Sequence, residues 1–317
     1  MVYKTRKMDN SSVVNYIDNA MPYILLTIGT IAIACFGLIS KKINLSPLIT
    51  TYFLALTFTF VPIIGLCYNH CSLKEVFGNI LNKRYFYLSI VFFIYTYSLI
   101  YAHKILPMTI IGPMLGTLPM FYSFWEYILN GLTINIMQFI GYIIAAIGVL
   151  IVNFNGFIND ITKKNQKFLS GILGVLAYCL GISYFIVSND NLKQTTTNNL
   201  DFLFQRLFSA GIYTFVMLSI IMWVRGIYKY NDNWPDFNNI LKLIGGITFT
   251  SLFAVCMFIT TKSNIDPVIF AAHGNTRPIF VVLLGIWIMK EKIDRYILTG
   301  LLTIITGIIV SIYFTKT

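Results

Sequence analysis

The sequence predicts an all-α membrane protein of ten transmembrane helices, arranged as two inverted five-helix repeats. Three observations carry this reading. Hydrophobic residues make up 57% of the 317-residue chain and charged residues only 11%, less than half of the roughly 25% typical of a soluble domain. Apolar runs of the ~20 residues needed to cross a bilayer follow one another, with no soluble domain between them. The third observation is internal: the two halves align on each other at a constant offset of 159 residues.

Taken in order, the spans fall at 22–40, 47–68, 85–103, 107–129, 135–155, 169–188, 202–224, 241–262, 267–289 and 295–315. Lys41-Lys42, Lys83-Arg84, Lys163-Lys164, Arg225 and Lys290-Glu291-Lys292 all lie between spans. Pro107 and Pro267 each open a span, where a missing N–H is harmless. The apolar stretch from Tyr85 to Asn130 is too long for one crossing, so a tight turn at His103–Pro107 must divide it. Ser263-Asn264-Ile265-Asp266 divides the eighth and ninth spans in the same way. Residues 1–21 are polar and basic and lack the apolar region and cleavage site of a signal peptide, so the first span is expected to stay as an anchor. The repeats are then residues 22–155 and 169–315, joined by a linker at 156–168.

The offset places Pro119 on Pro278, Phe121 on Phe280, Gly141 on Gly300 and Gly148 on Gly307. At a slightly different offset Cys35-Phe36-Gly37 resembles Cys179-Leu180-Gly181. A period of this kind is the mark of duplication. Five is odd, so the second copy must enter the membrane from the opposite side. Inverted repeats are the architecture of carriers that alternate access around a midplane site.

The formal charge of +11 resembles a nucleic-acid signal, but the basic residues sit at the ends of apolar runs, as membrane-flanking Lys and Arg do. No nucleic-acid partner is expected. Flanking basic residues divide nearly evenly between the two sides, so charge does not orient the chain, although ten spans put both termini on one side. Cys35, Cys67, Cys71, Cys179 and Cys256 form no CxxC pair and read as packing residues. There is no HExxH, Walker loop, GxSxG or carboxylate cluster with metal spacing. Neither an enzyme nor a bound cofactor or metal is expected.

Arg277 is the strongest candidate for a substrate site. It lies ten residues after Pro267 and thirteen before Lys290, about 15 Å into a core of roughly 30 Å. At that depth an arginine costs on the order of 2.5–3.5 kcal/mol. A forked guanidinium facing a watery cavity would grip a carboxylate or phosphate; a structural ion pair is the competing reading. His273 shares its face one turn earlier, and Asn275 and Thr276 add polar groups. Gly274 and Pro278 loosen the helix there. Glu126 is the carboxylate set furthest into a span, with Tyr122 one turn before it. It reads equally as an interfacial carboxylate and as a proton-coupling group or a partner of Arg277. Arg206 can bind substrate or snorkel from its helix start. Tyr97 and Tyr101, an i,i+4 pair near Tyr95, can stack a ring-bearing substrate or pack helices. Gly112 and Gly116 form a small-xxx-small packing pair, and Lys104 and Lys262 read as interfacial anchors.

Each half ends with a pattern that resembles the EamA-type repeats of the drug/metabolite transporter superfamily. In the second half Pro278, Glu291, Gly300 and Gly307 match the family's proline, the acidic residue ending the span and the two glycines of the next. The first half keeps Pro119, Gly141 and Gly148 but has Leu132 at the acidic position. The run from Arg277 to Gly285 is also similar to nucleotide-sugar and nucleotide carriers, and Gly274-Asn275 to triose-phosphate carriers, whose paired basic residues are reduced here to Arg277. The resemblance implies a ten-helix inverted-repeat fold with a central cavity lined by the fourth and ninth helices.

The expected function is alternating-access transport of a small anionic or zwitterionic metabolite, such as an amino acid or related compound. Exchange of nucleotides, nucleotide sugars or sugar phosphates is the alternative. A channel would need a repeated pore motif or charged ring, and neither is present. The expected partners are the small-molecule substrate and the lipid bilayer, with a homodimer compatible. The location is a multi-pass one, in a plasma or inner membrane or an organelle membrane.

Overall fold

The computed structural model describes residues 10–43, 45–68, 83–163, 167–193, 199–226, 236–262 and 277–313. All regular structure among them is helical. The helices are α1 (Asn10–Lys42), α2 (Pro47–Tyr68), α3 (Lys83–Ile105), α4 (Met108–Leu115), α5 (Leu118–Asn130), α6 (Ile136–Lys163), α7 (Lys167–Lys193), α8 (Asn199–Val224), α9 (Phe237–Lys262), α10 (Arg277–Met289) and α11 (Arg295–Tyr313). Helix α1 begins well inside the segment read as a polar N-terminal tail. Helices α6 and α7 extend over most of the expected linker.

The fourth span departs from the expected single helix: it breaks between α4 and α5 at Gly116-Thr117. The N–H groups of Gly116 and Thr117 reach back only three residues, to the carbonyls of Pro113 and Met114 at 2.9 and 3.1 Å. Pro119, four residues after Leu115, has no N–H to give that carbonyl. The Thr117 hydroxyl adds a 2.7 Å bond to the Met114 carbonyl. Two prolines and a glycine thus turn a continuous apolar run into two half-helices, tolerated in a membrane where neighbours satisfy the backbone.

The helices associate in close antiparallel pairs: α1 with α9, α2 with α8, α3 with α7, α4 with α10 and α6 with α11. Lipid is as apolar as leucine, so such pairs are held by van der Waals contact, which small residues bring close. The α6–α11 pair is the tightest case. A Cβ added at Gly141 would stand 2.6 Å from the Gly307 carbonyl oxygen, and one at Gly148 would stand 2.8 Å from that of Gly300. Between α4 and α10, Gly112 lies against the Pro278 carbonyl and Val282. Asp294 ties the start of α11 to α6, accepting from Asn155 at 2.7 Å and from the Ile297 N–H at 2.8 Å.

Large apolar side chains also cover the outside. Ile136, Phe139, Ile143, Ile147 and Leu150 on α6 and Leu298, Leu302 and Ile309 on α11 are all exposed. Such a surface suits hydrocarbon rather than water. Six described helices are long and apolar enough to cross a membrane, and Arg277–Met289 and Arg295–Ser311 are shorter apolar helices. Helix α5 ends on Gly131 at φ +68°, with nothing near its missing Cβ. Gly131→Ala is therefore expected to cost only the left-handed backbone penalty, roughly 1–2 kcal/mol, seen as a small fall in the thermal midpoint of purified protein.

Candidate functional site

On α3 the buried residues Leu88, Phe92, Tyr95, Leu99, Ala102 and His103 recur every three or four positions, which makes one inward stripe. Helix α7 packs along it, with Gly181 against Tyr95, Gly174 against Ala102 and Gly171 against Leu106. That approach buries Tyr178 and Cys179 of α7.

Arg277, the first residue of α10, is itself buried and meets this surface. Its Nη1 donates to the Tyr178 hydroxyl at 2.6 Å, and its guanidinium carbon lies 5.4 Å from the Tyr178 ring centre. Its Nε is buried and has no hydrogen-bond partner among the described residues. Tyr178 stands edge-on to Tyr95 at 5.8 Å, and Tyr95 to Phe185 at 5.9 Å. Phe185 in turn carries the guanidinium of Arg206 at 5.3 Å. Two buried arginines thus stand at the ends of a three-ring aromatic path.

The helix break lies on the other side of α7. Cys179 Sγ approaches the Met114 carbonyl at 4.0 Å, and the Ser183 hydroxyl bonds the Cys179 carbonyl at 2.7 Å and reaches the Leu118 carbonyl at 3.5 Å. His103 is fully buried; its Nδ1 is 2.8 Å from the Leu99 carbonyl oxygen, and the Nε2 end of its ring meets Gly37 of α1.

A second polar cluster closes one end of the bundle. Glu291, between α10 and α11, accepts from Lys41 Nζ at 2.6 Å and from the Met108 and Thr109 N–H groups at 3.0 and 2.9 Å. It therefore caps the N-terminus of α4 while pairing with the C-terminal turn of α1. Lys41 also donates to the Leu106 carbonyl at 3.0 Å, and Lys104 to the Ile43 carbonyl. Burial works against the Glu291 charge, but Lys41 and the two N–H groups outweigh it and hold the carboxyl below the ordinary glutamate value of 4.5. The stabilisation this gives is complete above that value and is lost as pH falls through the depressed one. Thermal stability is expected to be flat from pH 7 down to pH 5 as far as this cluster is concerned, and to lose the contribution only below 4.5.

Of the residues singled out from sequence, Arg277 and Arg206 are the two joined through the aromatic path. The described contacts of Tyr101 and Tyr97 lie elsewhere: Tyr101 bonds Ser170 at 3.0 Å and stacks on Tyr97, which also meets Phe93. Glu126 bonds Asn130 one turn on, at the end of α5. Tyr122 lies half-buried on α5. His273, Asn275 and Thr276 lie outside the described residues. Tyr178, Lys41 and Glu291 were not among the substrate-site candidates. Tyr95 is marked by the buried stripe of α3, which the structure shows, whereas Tyr178 is one of 20 tyrosines with no local signal to mark it.

Residues 169–313 match the EamA-like transporter family. The second half of the chain is EamA-like. That match contains Pro278, Glu291, Gly300 and Gly307, the residues on which the resemblance was drawn. With its run of long apolar helices, the chain is a multi-pass integral membrane protein whose second half is similar to this transporter family. A solved crystal structure of a protein shares the fold, with a TM-score of 0.60 at 14% identity over 94% of this chain and 98% of the other. No curated protein matches.

Proposed function

We propose that this EamA-like chain is an alternating-access carrier of a small anionic or zwitterionic metabolite, such as an amino acid or related compound. It is built as two inverted five-helix repeats, and Arg277 holds the substrate's anionic group. The pairing of helices supports the duplication. Exchanging the repeats maps α1 to α7, α2 to α8, α3 to α9, the broken α4–α5 to α10 and α6 to α11. The α1–α9 pair then becomes α7–α3, and the other three close pairs map onto themselves; all are present. At residue level the Gly141–Gly307 contact becomes the Gly300–Gly148 contact, and both occur. Inverted halves that share glycine-lined seams can rock about a central site.

The observation that carries the substrate reading is the buried Arg277 guanidinium, which has a neutral phenol for a partner and no carboxylate among the described residues. A buried cation without a counter-charge is costly, and a substrate anion would supply one. The test is counterflow in liposomes holding the full-length protein, with amino acids as the first panel. Uptake of a labelled amino acid should saturate and be stimulated by the same compound inside. Arg277→Gln should bring it to background, a loss of at least about tenfold for one charged hydrogen-bonded contact. Wild-type rate and half-saturation in that variant would remove Arg277 from the substrate site, and uptake that neither saturates nor responds to internal substrate would point to a channel.

A further inference from the structure

We infer that the anionic group held at Arg277 is a planar carboxylate taken side-on by Nε and Nη2, and that Tyr178 is the positioning residue that aims this edge. The inference rests on the carrier reading above and narrows its substrate class. A guanidinium has five N–H donors in a rigid plane, and its parallel pairs match the two oxygens of a carboxylate. Here the Tyr178 hydroxyl occupies Nη1 at 2.6 Å. Nε is buried with no acceptor among the described residues, and no hydrogen bond there reaches Nη2. One edge of the fork is anchored and the other is left for a ligand. A native protein seldom leaves a buried charged donor unmet, so the vacant edge is the polar feature that asks for an occupant.

The charge around it selects among anions. A phosphate monoester carries close to two negative charges near neutral pH and three equivalent oxygens, and is best met by more than one cation. The described lysines of this region are already committed. Lys41 is paired with Glu291, Lys104 donates to the Ile43 carbonyl, and Arg206 lies over Phe185 at the far end of the aromatic path. One guanidinium with one open edge balances one carboxylate.

The test is ligand-induced thermal stabilisation of the purified full-length protein. The probes are the standard amino acids, the carboxamide of each one that stabilises, and glycerol phosphate and uridine monophosphate as phosphate monoesters. At least one amino acid should stabilise the protein, its carboxamide should bind about 10–100-fold more weakly, and the phosphate esters should have no effect. Arg277→Lys keeps the charge without the fork and should lower the preference for carboxylate over carboxamide by about tenfold. Tyr178→Phe should lower the same preference while leaving the unliganded midpoint within a few degrees of wild type, which a purely structural tyrosine would not do. Stabilisation by the phosphate esters, or by none of the amino acids, overturns the carboxylate assignment while leaving an anion site at Arg277 standing. An unchanged preference in Tyr178→Phe overturns its positioning role. Unchanged binding of every probe in both Arg277→Lys and Arg277→Gln overturns the site altogether.

Discussion

Gly148→Leu is expected to leave almost no monodisperse folded protein after purification. Even a single added carbon would stand 2.7 Å from Ile304 Cγ1 and 2.8 Å from both the Gly300 carbonyl oxygen and the Ile304 N–H nitrogen. Two of these atoms are backbone and cannot swing aside, so α6 and α11 would have to separate along the whole seam. Extra methylenes in a well-packed core cost about 1–3 kcal/mol. Here the lost seam adds to that, because no hydrophobic driving force rejoins helices in lipid. Gly300 faces the same crossing from the other helix, so Gly300→Leu should fail alike. Gel filtration in detergent and a thermal midpoint read the outcome. Normal yield and elution of either variant would mean that the α6–α11 seam is not the close contact described.

Glu291→Gln is expected to be strongly damaging although it is isosteric. The carboxylate accepts from Lys41 and the Met108 N–H on one oxygen and from the Thr109 N–H on the other. Glutamine has one acceptor oxygen, so its NH2 must face a donor. The side chains of Lys41 and Glu291 are only 19% and 13% exposed. Stranding one member of such a pair costs about 3–5 kcal/mol when fully buried and less here. Lys41→Met should be damaging by itself, and the double variant should lose less than the two single losses added together, with a coupling of about 1–3 kcal/mol. Additive losses would mean that the pair contributes nothing beyond its separate members.

Much of the fold was legible in the sequence. Gly141, Gly148, Gly300 and Gly307, found only as coincidences at one offset, are the residues through which α6 and α11 touch. The depth of Arg277 was read from its distance to Pro267 and Lys290, and Pro267 lies outside the described residues. The break in the fourth span was not legible: Pro113 and Pro119 permit it, but a proline inside a membrane helix is as compatible with a mere kink. The partner of Arg277 was hidden for a different reason. Tyr178 is 99 residues away, and neither periodicity nor spacing reports a contact made through a third dimension. Tyr97 and Tyr101 drew attention as an i,i+4 pair. The buried stripe of α3 runs instead through Tyr95, two residues earlier, and shows only once the helices are packed. Lys41 and Glu291 were read one at a time, as a flanking charge and as the end of a span, and only folding makes them a pair.

That last contact joins residues 250 positions apart, and this has a consequence for how the chain is made. Synthesis runs at ~5–20 residues per second, so Lys41 leaves the ribosome on the order of 10–50 s before Glu291 exists. Through that interval the lysine sits in the last turn of the first helix, where its long stem lets the ammonium reach water. The cap on Met108 and Thr109 is missing for nearly as long. The end of the bundle that holds Lys41 therefore cannot close before the segment carrying Glu291 has been made, and the bond between α1 and the turn from α10 to α11 reports that synthesis has passed that point.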